Sequence, residues 1–423
     1  MERNKFLVLM VCGLILPVQA WAATPSSPKE NATLAYLRST VGTVLQSNSE
    51  LQAAIANVES IKLQAEGAGL PLYNPEIGVE AESATEDTYT LGVSQTFDWH
   101  DKQIGHKSAL DILLQKAEAQ QSYLVMRLAN DVLTAMTDFY SEIAIADLHK
   151  QSIALLEKVV GLTEQRLAAG DINKTEVLLA RIALADAVIA QANQGSKVIE
   201  AQNNYSKLSQ GILEDKIFFY LTLPSNVSED QDLDILASQH PLEKIALLDI
   251  EHARRQVNAE QRDRMADPTI NLVLGKEGEE SLVGLQFSMP WQIRNDFSYK
   301  VDVARKEQLR VEFQAQNTHR QVLADIRAAL AQYQLKASAW KIWQTSGENQ
   351  LQEHIRLLEQ FWKSGDLSTT EYLIQLEQNL RTEISGAELR GDMWRAWFQW
   401  LGATGRILSW LEFDVQNVLE GEQ

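Results

Sequence analysis

The chain has one cysteine, Cys12, in 423 residues, and it lies in an apolar run near the N-terminus. The rest of the chain can therefore form neither a disulfide nor a thiolate metal site. Beyond the N-terminus no stretch approaches the ~18 consecutive apolar residues of a membrane-spanning helix. Any membrane crossing would have to be made by strands closed into a barrel. Basic residues are scarce, 38 against 57 acidic ones. That balance argues against a nucleic-acid partner, which calls for a basic face, and suits a surface or pore that attracts cations. Catalytic motifs are also missing: there is no phosphate loop, no nucleophile elbow and no paired His-Glu signature. The seven histidines are scattered. His100 and His106, with Asp98 and Asp101, come nearest to a cluster, but their spacing lacks the i, i+4 pairing of a helical zinc site. No catalytic residue, cofactor or metal ligand is expected.

The N-terminus reads as an export signal. Arg3 and Lys5 are basic, Phe6 to Leu16 is an apolar core of 11 residues, Pro17 breaks it, and Ala20-Trp21-Ala22 is a small-x-small cleavage site. Val11 stands where a lipoprotein signal needs a small residue before Cys12. Cleavage after Ala22 removes Glu2, Arg3 and Lys5, leaving 56 acidic and 36 basic residues, a net of −20.

What the chain does have, it has twice. Gly92-Val93-Ser94-Gln95-Thr96-Phe97-Asp98-Trp99 has a counterpart in Gly284-Leu285-Gln286-Phe287-Ser288-Met289-Pro290-Trp291, 192 residues on. Glu164 to Asp171, followed by Thr175-Glu176, is matched by Glu359 to Asp366, followed by Thr370-Glu371, 195 residues on. A period this long implies a duplicated module rather than a solenoid.

Each half predicts long helices. Asp101 to Leu167 contains no proline and spans roughly 100 Å at 1.5 Å per residue. Phe297 to Lys363 repeats it. Val125, Ala129, Val132, Met136, Phe139, Ile143 and Ala146 alternate by four and three, the period of a left-handed supercoil. Leu133, Tyr140, Ala144, Leu148 and Leu155 form a second stripe, so the helix can pack on two sides, as in a wall. The aromatic group Trp394, Trp397, Phe398 and Trp400 reads as helix packing.

Before each long helix the period becomes two. Ile77, Val79 and Ala81 alternate with Glu76, Gly78, Glu80 and Glu82; Tyr89, Leu91, Val93 and Phe97 alternate with Thr88, Thr90, Gly92, Ser94 and Thr96. Ile270, Leu272 and Leu274, then Val283, Leu285, Phe287 and Met289 after a turn at Lys276–Ser281, repeat the pattern. These are two hairpins with one apolar and one polar face. About ten tilted residues per strand suit an outer-membrane barrel, with the apolar face to lipid and Phe97, Trp99 and Trp291 in an aromatic girdle. Four strands cannot close a barrel, and unpaired edges are not tolerated in hydrocarbon. Three copies would supply twelve strands, so an obligate homotrimer is expected.

This order of helix, hairpin and two long helices, given twice, resembles the outer-membrane efflux proteins of the TolC type over roughly residues 30 to 412. The turns at Gly170-Asp171…Glu176 and Gly365-Asp366…Glu371 resemble that family's arginine-x-x-x-glycine turn with an acidic residue six positions later. Arg166 satisfies the pattern; the second copy is read as carrying Trp362 in its place. Gln95 to Lys102 resembles the second-strand exit of the cobalt-zinc-cadmium subgroup. The resemblance implies a trimeric, mainly α fold: a long coiled-coil barrel plus two β-hairpins that contribute four strands to a 12-stranded barrel in the outer membrane of a Gram-negative bacterium. It implies a passive duct served by a periplasmic adaptor (membrane fusion) protein and an inner-membrane pump of the RND type, with heavy-metal cations as cargo. Arg166, Gly170, Asp171, Gly365 and Asp366 would form the periplasmic tips that meet the adaptor. Glu371, with its repeat mate Glu176, would form an acidic ring in the lumen. Ile77, Val79, Leu91, Val93, Phe97, Leu272, Leu285 and Phe287 would face lipid.

The expected organisation is an export signal over 1–22 and a first repeat over 23–215 (hairpin 75–97, helices 101–167 and 172–215). A joining segment over 216–236 leads to a second repeat over 237–412 (hairpin 268–290, helices 297–363 and 370–412) and a tail over 413–423. The glycine turns permit positive φ, and Asp171 and Asp366 could cap the helices that follow. Multidrug efflux or polypeptide secretion are alternative roles for the same duct. A soluble periplasmic coiled-coil scaffold or adaptor, its hairpins packed inward, is the alternative of another class.

Overall fold

The computed structural model describes residues 28–83, 87–209 and 232–413. The export signal, the C-terminal tail from 414 and most of the joining segment lie outside the described residues. The chain opens with α1 (Pro28–Ser47) and α2 (Ser49–Gly67), then the hairpin β1 (Glu76–Ser83) and β2 (Asp87–Thr96). Two helices follow, α3 (Lys102–Ala169) and α4 (Lys174–Ser209). The second half runs α5 (Leu233–Ser238), α6 (Pro241–Asp263), β3 (Thr269–Glu277) and β4 (Glu280–Ser288). It ends with α7 (Ser298–Ser346), α8 (Glu348–Ser364), α9 (Thr369–Ala403) and α10 (Ile407–Trp410).

Helix α3 is unbroken for 68 residues, about 100 Å of rod. Its four-three seam lies inward: Val125, Ala129, Val132 and Met136 are fully buried. They meet Leu37, Val41 and Leu45 of α1, Ile326 and Tyr333 of α7, and Trp394, Trp397, Phe398 and Trp400 of α9. The aromatic group of α9 is a core element: Tyr333 tilts against Trp397 at 5.2 Å, and Trp410 meets the Phe398 ring edge-on at 5.6 Å. Ring pairs of this kind combine large area burial with fixed geometry, which locks α7, α9 and α10 together at mid-height.

One expectation is corrected. The rod expected over 297–363 is interrupted at Gly347, whose φ of −103° and ψ of −63° depart from helical values. The cause is local. The Trp343 ring lies so close to Gly347 and to Gly386 of α9 that a Cβ on either would run into it. In the first repeat Leu148 and Ser152 stand at the corresponding positions, and α3 is unbroken.

The hairpins join into one sheet of order β1-β2-β3-β4, antiparallel throughout. Ile77, Val93, Leu272 and Leu285 share one row across it; Val79, Leu91, Leu274 and Val283 share the next apolar row. The second hairpin has a tighter turn than expected: Glu277 pairs with Glu280, so the turn is Gly278-Glu279 rather than Lys276–Ser281. Gly278 takes a φ of +58°, which a two-residue hairpin turn requires and glycine supplies without strain.

The Trp343 wedge makes a prediction. Gly386→Ala should displace the ring and cost about 1–3 kcal/mol, seen as a lower thermal midpoint with altered near-UV circular dichroism. Gly195→Ala, in open space on α4, should leave the near-UV spectrum unchanged and raise the midpoint slightly, by the ~0.5–1 kcal/mol that alanine gains over glycine inside a helix.

Candidate functional site

The sheet wears its apolar face outward. Ile77 and Leu285 are each 76% exposed. Val79, Leu91, Val93, Leu272 and Phe287 are exposed as well, while Thr90, Gly92, Ser94 and Asn271 on the opposite face are partly covered. A soluble domain would reverse this order, turning the apolar face onto a core. The scaffold alternative needed hairpins packed inward, and here the apolar rows are bare. They make a continuous apolar patch of the kind that marks a membrane or protein contact. Phe97, Trp99 and Trp291 are exposed at the lower strand ends.

A polar network fastens the sheet to the helices. Asp267, just before β3, is buried and takes Lys102 Nζ at 2.8 Å and Tyr73 Oη at 2.7 Å. Burial and the Asp267 carboxylate push the Tyr73 phenol up to about 12. The carboxyl of Asp267 lies below its ordinary value, because hydrogen bonds from Lys102 and Tyr73 outweigh the effect of burial. Asp98 caps α3, accepting from Lys102 N at 2.8 Å and Gln103 N at 2.9 Å. The His/Asp group named from sequence is thus dispersed: His106 pairs with Asp263 at 3.0 Å, and His100 lies 3.8 Å from Asp267. Among the described residues no group of three His, Cys, Asp or Glu side chains could hold a metal ion.

At the far end of the rods stand the two glycine turns, which are nearly superimposable. Gly170 has φ +84° and ψ 8°; Gly365 has φ +85° and ψ 6°. In each, the glycine N–H donates two residues inside the helix end, to Leu167 O at 3.0 Å or Trp362 O at 3.3 Å. The following aspartate N–H reaches one residue deeper, Asp171 to Arg166 O at 2.9 Å and Asp366 to Phe361 O at 3.0 Å. This is the Schellman closure. It aligns Phe361, not Trp362, with Arg166, which corrects the equivalence drawn from sequence. Trp362 is instead a partner of Arg166: the guanidinium sits 5.5 Å from its ring centre and donates to its carbonyl at 3.1 Å.

The helix starts after the turns are capped by other residues than expected. Asn173 Oδ1 accepts from Thr175 N and Glu176 N. Ser368 and Glu371 form a reciprocal capping box. Asp171 and Asp366 cap neither helix. Hydrogen bonds from the Ser368 hydroxyl and N–H hold the Glu371 carboxyl below its ordinary value. Glu371 is exposed and Glu176 half-buried. Beneath the second turn Trp362, 2% exposed, stacks on Tyr372 at 4.5 Å and 4°. The corresponding pair in the first repeat is Leu167 and Val177, so the aromatic stack belongs to the second repeat, while Leu156, Val159 and Ala180 of the first repeat pack into the same core.

A further surface went unnoticed in the sequence. On α4, Leu178, Ile182, Ala185, Ile189, Ala192, Ser196 and Ile199 alternate by four and three and are all exposed. This is a coiled-coil seam with no mate within the described residues of the chain. Its small members hid it. On α7, Tyr299, Val303, Leu309 and Phe313 are likewise exposed. The Tyr73–Asp267–Lys102 network was also missed, because its members are far apart in sequence.

No protein-family model matches the sequence, and the comparison with curated proteins finds no match. Solved structures do match. The CmeC outer membrane channel of Campylobacter jejuni is 14% identical, with a TM-score of 0.73 over 91% of this chain and 89% of that one. VceC, an outer membrane protein of Vibrio cholerae, is 17% identical, with a TM-score of 0.71 over 90% and 99%. CusC, described for the conformational changes accompanying its folding and transmembrane channel formation, is 14% identical, with a TM-score of 0.72 over 87% and 91%. At such identities the likeness is one of fold. The fold is the one these outer-membrane channels share: a long helical body carrying β-hairpins at one end.

Nothing lies within 4 Å of a Cβ added at Gly170 or Gly365. Alanine there should cost only the left-handed backbone penalty, about 1–2 kcal/mol, and the same at both sites. Thermal melts of the two single variants check this; a clearly larger loss at one site would show that its turn carries a contact the other lacks.

Proposed function

We propose that the chain is the exit duct of a tripartite efflux system: a homotrimeric outer-membrane channel whose helices cross the periplasm, with no catalytic chemistry of its own. The observation that carries this reading is the four-stranded sheet with an exposed apolar face and two free edges. Strands β1 and β4 run in opposite directions, so β4 of one copy can pair with β1 of the next and continue the antiparallel pattern. Three copies close a ring of twelve strands, an even number as such barrels use. Ile77, Val79, Leu91, Val93, Phe97, Leu272, Leu285 and Phe287 then face lipid. The bare seam of α4 and the exposed stripe of α7 lie on the helical body, where neighbouring copies would cover them.

The tips carrying Arg166, Gly170, Asp171, Gly365 and Asp366 are the surface offered to a periplasmic adaptor, which links the duct to an inner-membrane pump of the RND type. For cargo we favour cations, heavy-metal ions among them. Glu76, Glu80, Glu82, Glu277 and Glu280 all lie on the polar face of the sheet, which becomes the lumen wall, and the chain has a large acidic excess. Glu371 and Glu176, in the first turns of α9 and α4, are placed to add carboxylates near the narrow end.

Three measurements test this. Leu91→Arg or Leu285→Arg should weaken assembly by about 2–4 kcal/mol per site if these residues meet mid-bilayer lipid. Thr90→Ser should not, and a wild-type chain recovered from the soluble periplasmic fraction without detergent would sink the membrane reading. In planar bilayers Glu371→Gln should lower cation over anion selectivity; unchanged selectivity would remove Glu371 from the ion path.

A further inference from the structure

Four helices stand beneath the four strands in matching order: α2 leads into β1, β2 into α3, α6 into β3 and β4 into α7. Between α3 and α6 a cavity of about 670 Å³ opens at the level of the strand ends. Its floor is tight, since a Cβ on Gly105 of α3 would meet the Ala259 backbone of α6 at 3.3 Å. Its walls sort by chemistry. Trp99, Ile104 and Met265 are exposed apolar side chains. Trp99 lies in the turn three residues beyond β2 and is exposed there with Phe97, so this rim adjoins the strand ends of the apolar face. Arg255, Arg262 and His100 supply the polar part. Arg262 is held in place by donating Nη1 to Asp101 O at 2.9 Å, with the Asp101 carboxylate 3.8 Å away. Arg255 donates Nε to Glu251 at 2.7 Å.

An apolar rim adjoining two anchored guanidiniums repeats the layout of a phospholipid, with acyl chains beside a phosphate. Arginine forks match phosphate oxygens with paired charge-assisted hydrogen bonds. Each guanidinium already has a carboxylate beside it, Asp101 for Arg262 and Glu251 for Arg255, so what the cleft offers a phosphate is the remaining guanidinium N–H groups rather than a net positive charge. We infer that this cleft binds the headgroup phosphate of an anionic phospholipid in the periplasm-facing leaflet. A zwitterionic headgroup would bring its ammonium against the same guanidiniums and is the poorer fit. The inference rests on the sheet spanning a membrane, and fixes which leaflet lipid the junction retains.

The test uses the full chain incorporated into vesicles of equal phosphatidylglycerol and phosphatidylcholine. Flotation reports incorporation, and native mass spectrometry reports the lipid retained after extraction. The wild type should float and keep phosphatidylglycerol in preference. Arg255→Gln with Arg262→Gln should float equally and lose that preference by about tenfold, the scale of one charge-assisted contact. Arg255→Gln alone, which leaves the Arg262–Asp101 contact intact, should lose part of it and covers the case in which the double variant fails to fold. Retention in the vesicle ratio by the wild type, or unchanged preference in a floating variant, overturns the site and leaves the membrane reading standing. A wild type that does not float overturns both.

Discussion

A β-sheet that turns its apolar face outward has to complete its hydrogen bonding somewhere, and the rest of this molecule is arranged around that requirement. Each edge strand carries a row of amide and carbonyl groups that no other strand among the described residues pairs. In hydrocarbon such groups cost several kcal/mol apiece, which restricts spanning sheets to closed rings. The antiparallel order β1 to β4 leaves edges of opposite direction, so identical copies can complete one another. The helices obey the same geometry: one adjoins each strand, and the apolar stripes on α4 and α7 are also left for a neighbour.

The joint between sheet and wall has to transmit this arrangement without slack. The Asp267 network does so by binding a residue just ahead of β3 to Lys102 at the start of α3 and to Tyr73 just ahead of β1. Three segments from both repeats meet on one carboxylate. The position of one hairpin against the other therefore rests on a buried ion pair in which Asp267 Oδ2 takes both the Lys102 and the Tyr73 donor, while Oδ1 has no hydrogen-bond partner among the described residues.

Periodicity made much of this legible from the residues alone. The four-three seam of α3 and the two-residue alternation of the strands each identified an element and the face it would present, because both signals come from backbone geometry repeated over many residues. What stayed hidden depended on single contacts. The interruption at Gly347 comes from one indole pressed against two glycines, one of them on another helix. Pairing Arg166 with Trp362 is one residue out of step, since the 195-residue offset itself sets Arg166 opposite Phe361; the turn hydrogen bonds fix that register and show Arg166 and Trp362 as neighbours. The caps fell to Asn173 and Ser368 rather than the aspartates, since the left-handed glycine delays the helix start by two residues. The α4 seam escaped notice because alanine and serine occupy three of its seven positions.

The unequal rods of the two repeats bear on stiffness. A helix bends in proportion to load along its whole length, whereas an interrupted one concentrates deflection where its ladder is irregular. In each chain α3 is a single beam from sheet to tip, while α7 and α8 form two beams meeting at Gly347, with the Trp343 ring as a chock. In a ring of three such chains, compliant and rigid staves would alternate around the circumference. Lateral strain at the narrow end would then gather at three points, at the height of the tryptophan, rather than spread over six.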